Sequence, residues 1–377
     1  MTQRRLAVGL AICVLWSVAA QARMVLRVGP AEKFRTIAAA AQAARDGDVV
    51  EILAGTYRGD VAVWTRDRLT IRSVGGPARL IAEGASAEGK AIWVIRGGRV
   101  IIENIEFSGT RVADGNGAGI RFEKGRLTIR HCVFTDNENG LMAGNDPEAE
   151  LNIEDSEFGH NGAGDGYTHN LYVGRIHRLS VIGSYFHHAR VGHLLKSRAA
   201  ESFIAYSRLT DEEGGSASYE LEFPNGGEVH VVGNIVQQGR DTQNPTLISF
   251  GAEGLSWKRN TIVLSGNTLI DDRAPPGFFL RVKEGTSDVV AYNNVLVGGR
   301  ADQPFFPSDK GNIQVRRDRI DDEFRLVVRG EKSPAAVVVD RRQDLSVVPD
   351  REYVHPMSTR KLRGQPGLPG AMQSTVP

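Results

Sequence analysis

The chain has 377 residues, of which 46 are Lys or Arg and 45 are Asp or Glu, leaving a formal net charge of +1. This balance gives no polyanion-binding signature, so we expect no nucleic-acid partner. Glycine is abundant, at 43 residues, which favours a fold with many tight turns.

Residues 1–22 have the layout of a secretory signal peptide. Arg4 and Arg5 precede an apolar run at residues 6–19, and a small-x-small cleavage site follows at residues 20–22. The protein is therefore predicted to be exported, to a periplasm or out of the cell. No later segment offers about 18 uninterrupted apolar residues, so we expect no membrane span. Cleavage would remove Cys13 and leave Cys132, which we expect to be a small packed side chain.

Short runs of alternating apolar and polar residues recur along the chain, among them LTIRHCVF (127–134), LNIEDSEF (151–158) and LSVIGSYF (179–186). When these runs are aligned on their last residues, the spacings are 27, 24, 28, 23, 27, 26 and 33 residues. A period in this range predicts one coil of a parallel β-helix per repeat, with neighbouring strands about 4.8 Å apart. The aligned residues should form a column: Phe107, Phe134, Phe158, Phe186, Leu209, Val236, Ile262 and Val295.

Two positions before the last three of these residues stand Asn234, Asn260 and Asn293. This series predicts inward-turning amides that hydrogen-bond from one coil to the next.

The segment FRTIAAAAQAARDGDVVEILAGTY (34–57) combines an aromatic-x-Thr-Ile start, an alanine-rich helix at residues 36–45 and a strand that ends Gly-x-Tyr. It resembles the opening of the right-handed parallel β-helix superfamily typified by pectate lyases, and REYVHP (351–356) resembles its closing segment. The resemblance implies an all-β chain that forms a single-stranded right-handed parallel β-helix with an N-terminal capping helix.

From this resemblance we place the cap and first coil at residues 23–58 and the β-helix at residues 59–300. A C-terminal capping segment should occupy residues 301–377, and its Pro- and Gly-containing tail, residues 363–377, is expected to be disordered.

Three consecutive coils concentrate ionisable side chains: GDGYTHNLYVG (164–174), GHLLKSR (192–198) and YELEFPNGG (219–227). Counting back from the aligned residues places one side chain from each of these coils and one from the next coil in a single column, which is Tyr172, Lys196, Glu222 and Ser249. Strand parity predicts that the intervening leucines face the core. The predicted outward set is Asn170, Tyr172, Lys196, Glu220 and Glu222. A solvated ladder of ion pairs is the structural alternative.

A long outer face of this kind suits an extended polymer, and the resemblance to the pectate lyase superfamily implies that this polymer is an acidic polysaccharide. Cleavage of a uronate by β-elimination needs a base, a cation on the sugar carboxylate and a donor for the leaving oxygen. Lys196 is the candidate base, Arg198 the candidate carboxylate ligand, and Tyr172 or His169 the candidate donor. Asp165 is expected to orient His169. The remaining members are assigned to substrate binding: Asp165, Asn170, His193, Glu220 and Glu222.

Calcium is a candidate cofactor, because Asn170, Glu220 and Glu222 carry the oxygen ligands that Ca²⁺ prefers. The Lys-Ser pair at 196–197 is also similar to that of the chondroitinase-B-like and alginate lyases of the superfamily. The two acidic metal ligands that precede the lysine in those enzymes have no counterpart here.

The predicted function is thus a polysaccharide lyase, and two alternatives stay open: a non-catalytic polysaccharide-binding protein and a uronate epimerase.

Six of the nine histidines lie between His160 and His193. A zinc site built from His160, His169 and His193 lacks the usual ligand spacing, and His187 and His188 are expected at the surface.

Overall fold

The computed structural model describes residues 23–300, 308–329, 332–338 and 348–376, so the predicted signal peptide lies outside the described residues. Within these described residues, one α-helix, α1 (Ile37–Ala43), and one 3₁₀ turn (Arg317–Arg319) accompany the strands. The strands are β1 (Val25–Val28), β2 (Val49–Arg58), β3 (Ala62–Trp64), β4 (Leu69–Ile81), β5 (Ala91–Ile95), β6 (Arg99–Glu103), β7 (Ile105–Ser108), β8 (Ala118–Phe122), β9 (Arg126–Arg130), β10 (Val133–Thr135), β11 (Asn139–Ala143), β12 (Glu150–Glu154), β13 (Glu157–Gly159), β14 (Leu171–Val173), β15 (Arg178–Ile182), β16 (Tyr185–His187), β17 (Leu195–Ser197), β18 (Glu201–Ala205), β19 (Arg208–Thr210), β20 (Leu221–Phe223), β21 (Glu228–Val232), β22 (Ile235–Gln238), β23 (Thr246–Phe250), β24 (Thr261–Ser265), β25 (Thr268–Asp271), β26 (Phe278–Val282), β27 (Asp288–Tyr292), β28 (Val295–Gly298), β29 (Ser308–Lys310), β30 (Ile313–Val315), β31 (Leu326–Val327), β32 (Arg351–Val354), β33 (Ser358–Lys361) and β34 (Thr375–Val376).

Strands β1 to β30 form a parallel β-solenoid of about ten turns with three walls, while β31 pairs with β34 and β32 with β33 in two small separate sheets. From β6 to β26 each coil contributes one strand to each wall, and every strand pairs with the equivalent strand of the next coil. Wall 1 contains β6, β9, β12 and their successors, and wall 2 contains β7, β10, β13 and theirs. Wall 3 is a separate nine-stranded sheet formed by β3, β5, β8, β11, β14, β17, β20, β23 and β26. The predicted repeat therefore corresponds to one three-strand coil.

Aromatic side chains stack along the core, because residues at the same coil position lie directly above one another. The rings of Phe107, Phe134, Phe158 and Phe186 are nearly parallel, with centroids 5.0, 4.5 and 4.7 Å apart. Trp93 meets Phe107 edge-on at 5.1 Å and continues the column toward the helix. All five side chains are fully buried. Offset and edge contacts of this kind add stability beyond the burial of apolar area.

The predicted column is confirmed from Phe107 to Val236 and wrong for its last two members. Val236 pairs with Leu269, and Leu269 pairs with Leu296, in place of Ile262 and Val295. Ile262 lies on wall 1, where it pairs with Val229. Two loops, residues 239–245 and 251–260, lengthen this coil, so the spacing from the preceding coil falls on the wrong wall at Ile262. Val295 lies on wall 2 but one residue before the core position of Leu296.

A ladder of buried polar side chains runs parallel to the aromatic column, two residues before it. Each side-chain oxygen accepts the backbone N–H of the equivalent residue in the preceding coil, at 2.8–3.2 Å. The accepting residues are Ser156, Ser184, Ser207, Asn234, Asn267, Asn294 and Asn312. The predicted asparagine series thus exists, with Asn267 and Asn294 in place of Asn260 and Asn293. Cys132 is the first donor of this ladder, and burial raises the pKa of its thiol to about 12.

Helix α1 covers the first coil. Thr36 is its N-cap, because the Thr36 hydroxyl accepts the Ala39 N–H at 3.2 Å. The Asp60 carboxylate accepts the free N–H groups of Ile37 and Ala38 at 2.6 and 3.0 Å. The buried side chains of Ile37 and Ala40 join the main core, so the helix closes the apolar end of the solenoid as predicted.

The C-terminal segment packs on the outer face of wall 2 instead of hanging free. Tyr353 and Ala371 join a second apolar cluster with Ile235 and Val297. In the tail that was expected to be disordered, the Ala371 N–H donates to the Thr268 hydroxyl at 3.0 Å. The coils also extend past residue 300, since β29 and β30 pair with β27 and β28. The C-terminal segment thus covers apolar residues on the outer face of wall 2.

Within the described residues, no helix has both the length and the apolar character that crossing a bilayer requires.

The polar ladder predicts a stability effect at Asn267. Its carboxamide accepts the Asn234 N–H at 2.9 Å and donates to the Val231 carbonyl at 2.8 Å. Asn267→Ala leaves both groups buried without a partner, which should lower the free energy of unfolding by roughly 2–4 kcal/mol. Urea denaturation measures this loss. The outward-facing Asn152→Ala is the control, and a loss as small as the control's would show that the ladder contributes little.

Candidate functional site

The candidate site lies on the outer face of wall 3, where four consecutive strands stack in register. Tyr172 on β14 pairs with Lys196 on β17, Lys196 with Glu222 on β20, and Glu222 with Ser249 on β23. This is the column that the sequence predicts. The leucines that precede these residues, such as Leu195 and Leu221, are fully buried in the core. Strand alternation therefore turns Tyr172 and Lys196 outward, side by side.

Asn170 and Glu220 were predicted to face outward as well, and that prediction is wrong. Both residues are fully buried. Each precedes the first residue of a short wall 3 strand, at the corner where the chain turns into the wall, so strand alternation does not apply there. The Asn170 carboxamide belongs to a second interior ladder, in which it accepts the Asn161 N–H at 3.2 Å and donates to the His187 carbonyl at 2.8 Å.

The three oxygen ligands proposed for calcium do not come together. Asn170 and Glu220 face the interior, and Glu222 lies 2.9 Å from the Lys196 ammonium. Burial, and after it the neighbouring carboxylate of Asp211, holds the pKa of Glu220 well above its usual range, which favours a neutral acid over a metal ligand. The residues of this cluster therefore do not fit a calcium ion.

Lys196 stands between two carboxylates. Its Nζ is 2.9 Å from Glu222 Oε2 and 3.2 Å from Glu253 Oε1. The Glu222 side chain is only 5% exposed, whereas that of Glu253 is 45% exposed. Burial would raise the pKa of Glu222, but the contacts with His193 and Lys196 outweigh it and lower the pKa to about 2. Glu222 is thus a fixed anion beneath the lysine, and Glu253 is a solvent-facing one above it.

Arg198 lies beside Lys196 and binds Glu253 with both terminal nitrogens, at 2.6 and 2.9 Å. Its Nε donates to the Tyr172 hydroxyl oxygen at 3.1 Å, and Nη1 also donates to the Asn225 carboxamide at 2.6 Å. Because the Tyr172 oxygen accepts this bond, its own proton is free to be donated elsewhere. Contacts with Tyr172, Asn225 and Glu253 therefore hold the guanidinium in place. Its two terminal nitrogens point toward the solvent-facing Glu253.

Two buried histidines lie under the cluster. His169 Nδ1 accepts the backbone N–H of His193 at 3.0 Å, so a neutral His169 carries its proton on Nε2. Burial is the main reason that the pKa of His169 lies well below its usual range, and the electrostatic effect of His193 and Lys196 lowers it further. The His169 ring stacks against Tyr172 at 5.8 Å, and His193 Nε2 is 3.2 Å from Glu222. The pair therefore supports Tyr172 and Glu222 from behind.

Asp165 does not orient His169. It lies in the exposed loop before β14, where its Oδ1 accepts the N–H groups of Tyr167 and Thr168 and the Thr168 hydroxyl. The carboxylate stabilises its own loop, and the neutral His169 is oriented by the backbone of His193 instead.

Sequence reasoning missed several residues that complete the cluster. Glu253 and Trp257 come from the loop at residues 251–260, and Asn225 comes from the turn after β20. The Trp257 indole donates to the Arg198 carbonyl at 3.3 Å, while the Arg175 guanidinium lies 4.9 Å from the Trp257 ring. The loop at residues 251–260 interrupts the repeat, and its length was the one feature of the sequence that pointed to it. That length does not indicate which side chains reach the cluster.

A second concavity lies on wall 1 and is separate from this cluster. It has a volume of about 390 Å³ and is lined by Arg178, Glu201, Phe203 and His230, among others. It provides a comparison surface for binding experiments.

The whole fold is similar to that of pectate lyase Pel9A, with a TM-score of 0.59 and 12% identity over 94% of this chain and 97% of that chain. Two further structures are similar: pectin methylesterase from Aspergillus niger (TM-score 0.46, 12% identity, 70% of this chain and 91% of that chain) and ORF18 of Geobacillus virus E2 (TM-score 0.49, 15% identity, 72% and 54%). No protein-family profile matches the sequence, and no curated protein is significantly similar to it. The likeness to the pectate lyase identifies the fold as the predicted right-handed parallel β-helix.

The low pKa of Glu222 predicts a pH-dependent contribution to stability. The folded pKa of about 2 lies below the unfolded value, so the ionised carboxylate stabilises the fold above pH ~4.5 and loses this effect as the pH falls toward 2. Glu222→Gln should lower the free energy of unfolding by about 2–3 kcal/mol at pH 7, and the difference from wild type should shrink at acid pH. Urea denaturation across this pH range measures it.

The matched control is Glu228→Gln on wall 1, whose partner Arg259 is 72% exposed. Its effect should stay within ~0.5 kcal/mol at every pH. A Glu222→Gln difference that did not vary with pH would show that the carboxylate charge is not what stabilises this site.

Proposed function

We propose that the protein is an exported polysaccharide lyase that cleaves a uronate-containing polymer by β-elimination at the wall 3 cluster. The observation that carries this proposal is the carboxylate of Glu253, which Arg198 holds with two nitrogens while Lys196 lies 3.2 Å away. A uronate carboxylate has the same charge and shape. The site therefore has the donors to bind such a group, and Glu253 is the side chain that a substrate would replace.

The exposure of the two carboxylates supports this exchange. Glu222 is buried and held by Lys196 and His193, so it stays in place when the ligand changes. Glu253 lies on a loop and is 45% exposed, so it can swing into solvent without uncovering the core. The exchange replaces one carboxylate with another on the same donors, so the hydrogen bonds that Glu253 gives up are made again with the sugar carboxylate.

In the proposed reaction Arg198 binds the sugar carboxylate and neutralises the charge that develops there as the C5 proton is removed. Lys196, in its neutral form, accepts that proton. The C5 electron pair forms the C4–C5 double bond while the C4–O bond breaks. Tyr172 gives its proton to the leaving oxygen, since its hydroxyl oxygen is already occupied as an acceptor from Arg198.

His169 and His193 have a positioning role in this scheme. His169 stacks on Tyr172 and limits where the phenol can point, and His193 lies between His169 and Glu222. Their burial keeps a pair of neutral rings under a cationic surface. His169 Nε2–H is the alternative donor to the leaving oxygen, as the sequence analysis allowed.

Two other functions use the same surface. A binding protein would hold the carboxylate without turnover, and an epimerase would return a proton to C5 without breaking the C4–O bond. Incubation with a panel of uronic-acid polymers separates the three. A lyase produces 4,5-unsaturated ends and shorter chains, an epimerase changes only the sugar composition, and a binding protein changes neither.

Lys196 is tested by two substitutions. Lys196→Ala and Lys196→Arg should both reduce kcat by at least ~10²-fold, since a guanidinium keeps the charge but does not act as a base at neutral pH. The rate is followed through the absorbance of the unsaturated product. The exposed Lys124→Ala is the control and should behave as wild type. Full turnover in Lys196→Arg would assign Lys196 to charge neutralisation, and full turnover in Lys196→Ala would remove it from the mechanism.

Glu253 is tested through affinity. Glu253→Gln removes the competing charge but keeps the size of the side chain, so uronate oligosaccharides should bind a few-fold to about tenfold more tightly. Arg198→Lys, which loses the forked geometry, should weaken binding. Isothermal titration calorimetry measures both. Weaker binding in Glu253→Gln would mean that Glu253 is a permanent part of the site and not the group that the substrate displaces.

A further inference from the structure

Three histidines meet at the corner between wall 2 and wall 3, outside the cluster described above. His160 follows β13, and His187 and His188 lie at the same corner one coil later. Their ligand nitrogens all lie within 4.8 Å of one another. His187 is buried, His188 is half-buried and His160 is exposed. The described residues bring together these three histidines and not His160, His169 and His193, the trio whose spacing in the sequence argued against a zinc site.

The backbone is arranged to bring these rings close. His160 and His188 both have left-handed backbones, with φ of 56° and 45°, and their rings stack at 4.6 Å. Gly159 pairs with His187, and a Cβ at Gly159 would lie 2.3 Å from the His187 ring. A side chain there would push His187 away from the corner, so glycine is required for this approach.

Hydrogen bonds on the far side of two rings fix which nitrogens face each other. His187 Nε2 is 3.2 Å from the Glu157 carboxylate, and His188 Nε2 is 3.3 Å from the Glu213 carbonyl. Both partners are acceptors, so each Nε2 carries the proton and each neutral ring has its lone pair on Nδ1. The two Nδ1 atoms are only 2.8 Å apart. Two lone pairs at this distance repel each other unless a cation or a shared proton lies between them.

We propose that His160, His187 and His188 form a zinc-binding site that links two consecutive coils. Imidazole nitrogen is a preferred ligand of Zn²⁺, and a ligating histidine commonly donates its other N–H to a carboxylate or a backbone carbonyl, as His187 and His188 do here.

Tetrahedral zinc with Zn–N bonds of about 2.0–2.1 Å places its ligand nitrogens ~3.3 Å apart, so the two Nδ1 atoms must separate by roughly half an ångström. His188 and the exposed His160 lie on the solvent side and can make this adjustment. Three imidazoles leave the fourth position of the metal open to solvent, and a water molecule takes it.

Zinc binding to the full chain, freed of metal by a chelator, is measured by isothermal titration calorimetry, and Co²⁺ is used as a spectroscopic probe. We expect one Zn²⁺ per chain and a visible Co²⁺ absorption band of the tetrahedral type. His160→Asn and His188→Asn should each weaken Zn²⁺ binding by about 100-fold, because asparagine tolerates the left-handed backbone but lacks the imidazole nitrogen. The thermal midpoint of wild type should rise with Zn²⁺, and that of the variants should not.

His131→Asn is the matched control, since His131 is also exposed and left-handed, with φ of 50°, but lies at the corner between wall 1 and wall 2. It should bind Zn²⁺ as wild type does. The proposal is overturned if wild type binds no Zn²⁺, which would leave a shared proton between His187 and His188. It is also overturned if His188→Asn binds normally, or if His193→Gln alone abolishes binding and so places the metal in the wall 3 cluster. None of these outcomes depends on lyase activity.

Discussion

The register between successive coils is the constraint on which the rest of this structure depends. Parallel pairing fixes neighbouring strands about 4.8 Å apart, and one residue of slip would turn every outward side chain to the other face. The serine and asparagine ladder opposes such slip, because each buried oxygen must meet the N–H of one particular residue in the preceding coil. The stacked phenylalanine rings fill the space beside it. Together they hold the outer faces in a fixed order.

The wall 3 cluster is a consequence of that order. Tyr172, Lys196 and Glu222 are about two dozen residues apart in sequence, yet they are adjacent because their strands pair in register. Charges of opposite sign at this spacing stabilise one another, and the buried Glu222 anchors the set. The forked guanidinium of Arg198 then has one solvent-facing side, and that side holds a carboxylate. The cluster thus places a lysine held by a buried carboxylate next to a solvent-facing carboxylate, and the proposed lyase function rests on this arrangement.

Much of this arrangement could be predicted from the sequence, since strand columns follow from the repeat and side-chain direction follows from alternation. The column from Tyr172 to Ser249 and the aromatic column to Val236 are examples. Prediction failed where the chain leaves regular strands. Asn170 and Glu220 stand at corners, where alternation does not decide direction. Glu253 comes from a loop whose conformation has no repeat, and the pairing of His160 with His187 and His188 depends on left-handed corner residues.

The most direct test of the account is a crystal structure of the protein with a bound uronate oligosaccharide. The account predicts that a sugar carboxylate lies on Arg198 with two parallel hydrogen bonds, that Glu253 has moved toward solvent, and that Tyr172 and Lys196 flank the same sugar. An oligosaccharide bound in the wall 1 concavity, or bound elsewhere while Glu253 still holds Arg198, would contradict it.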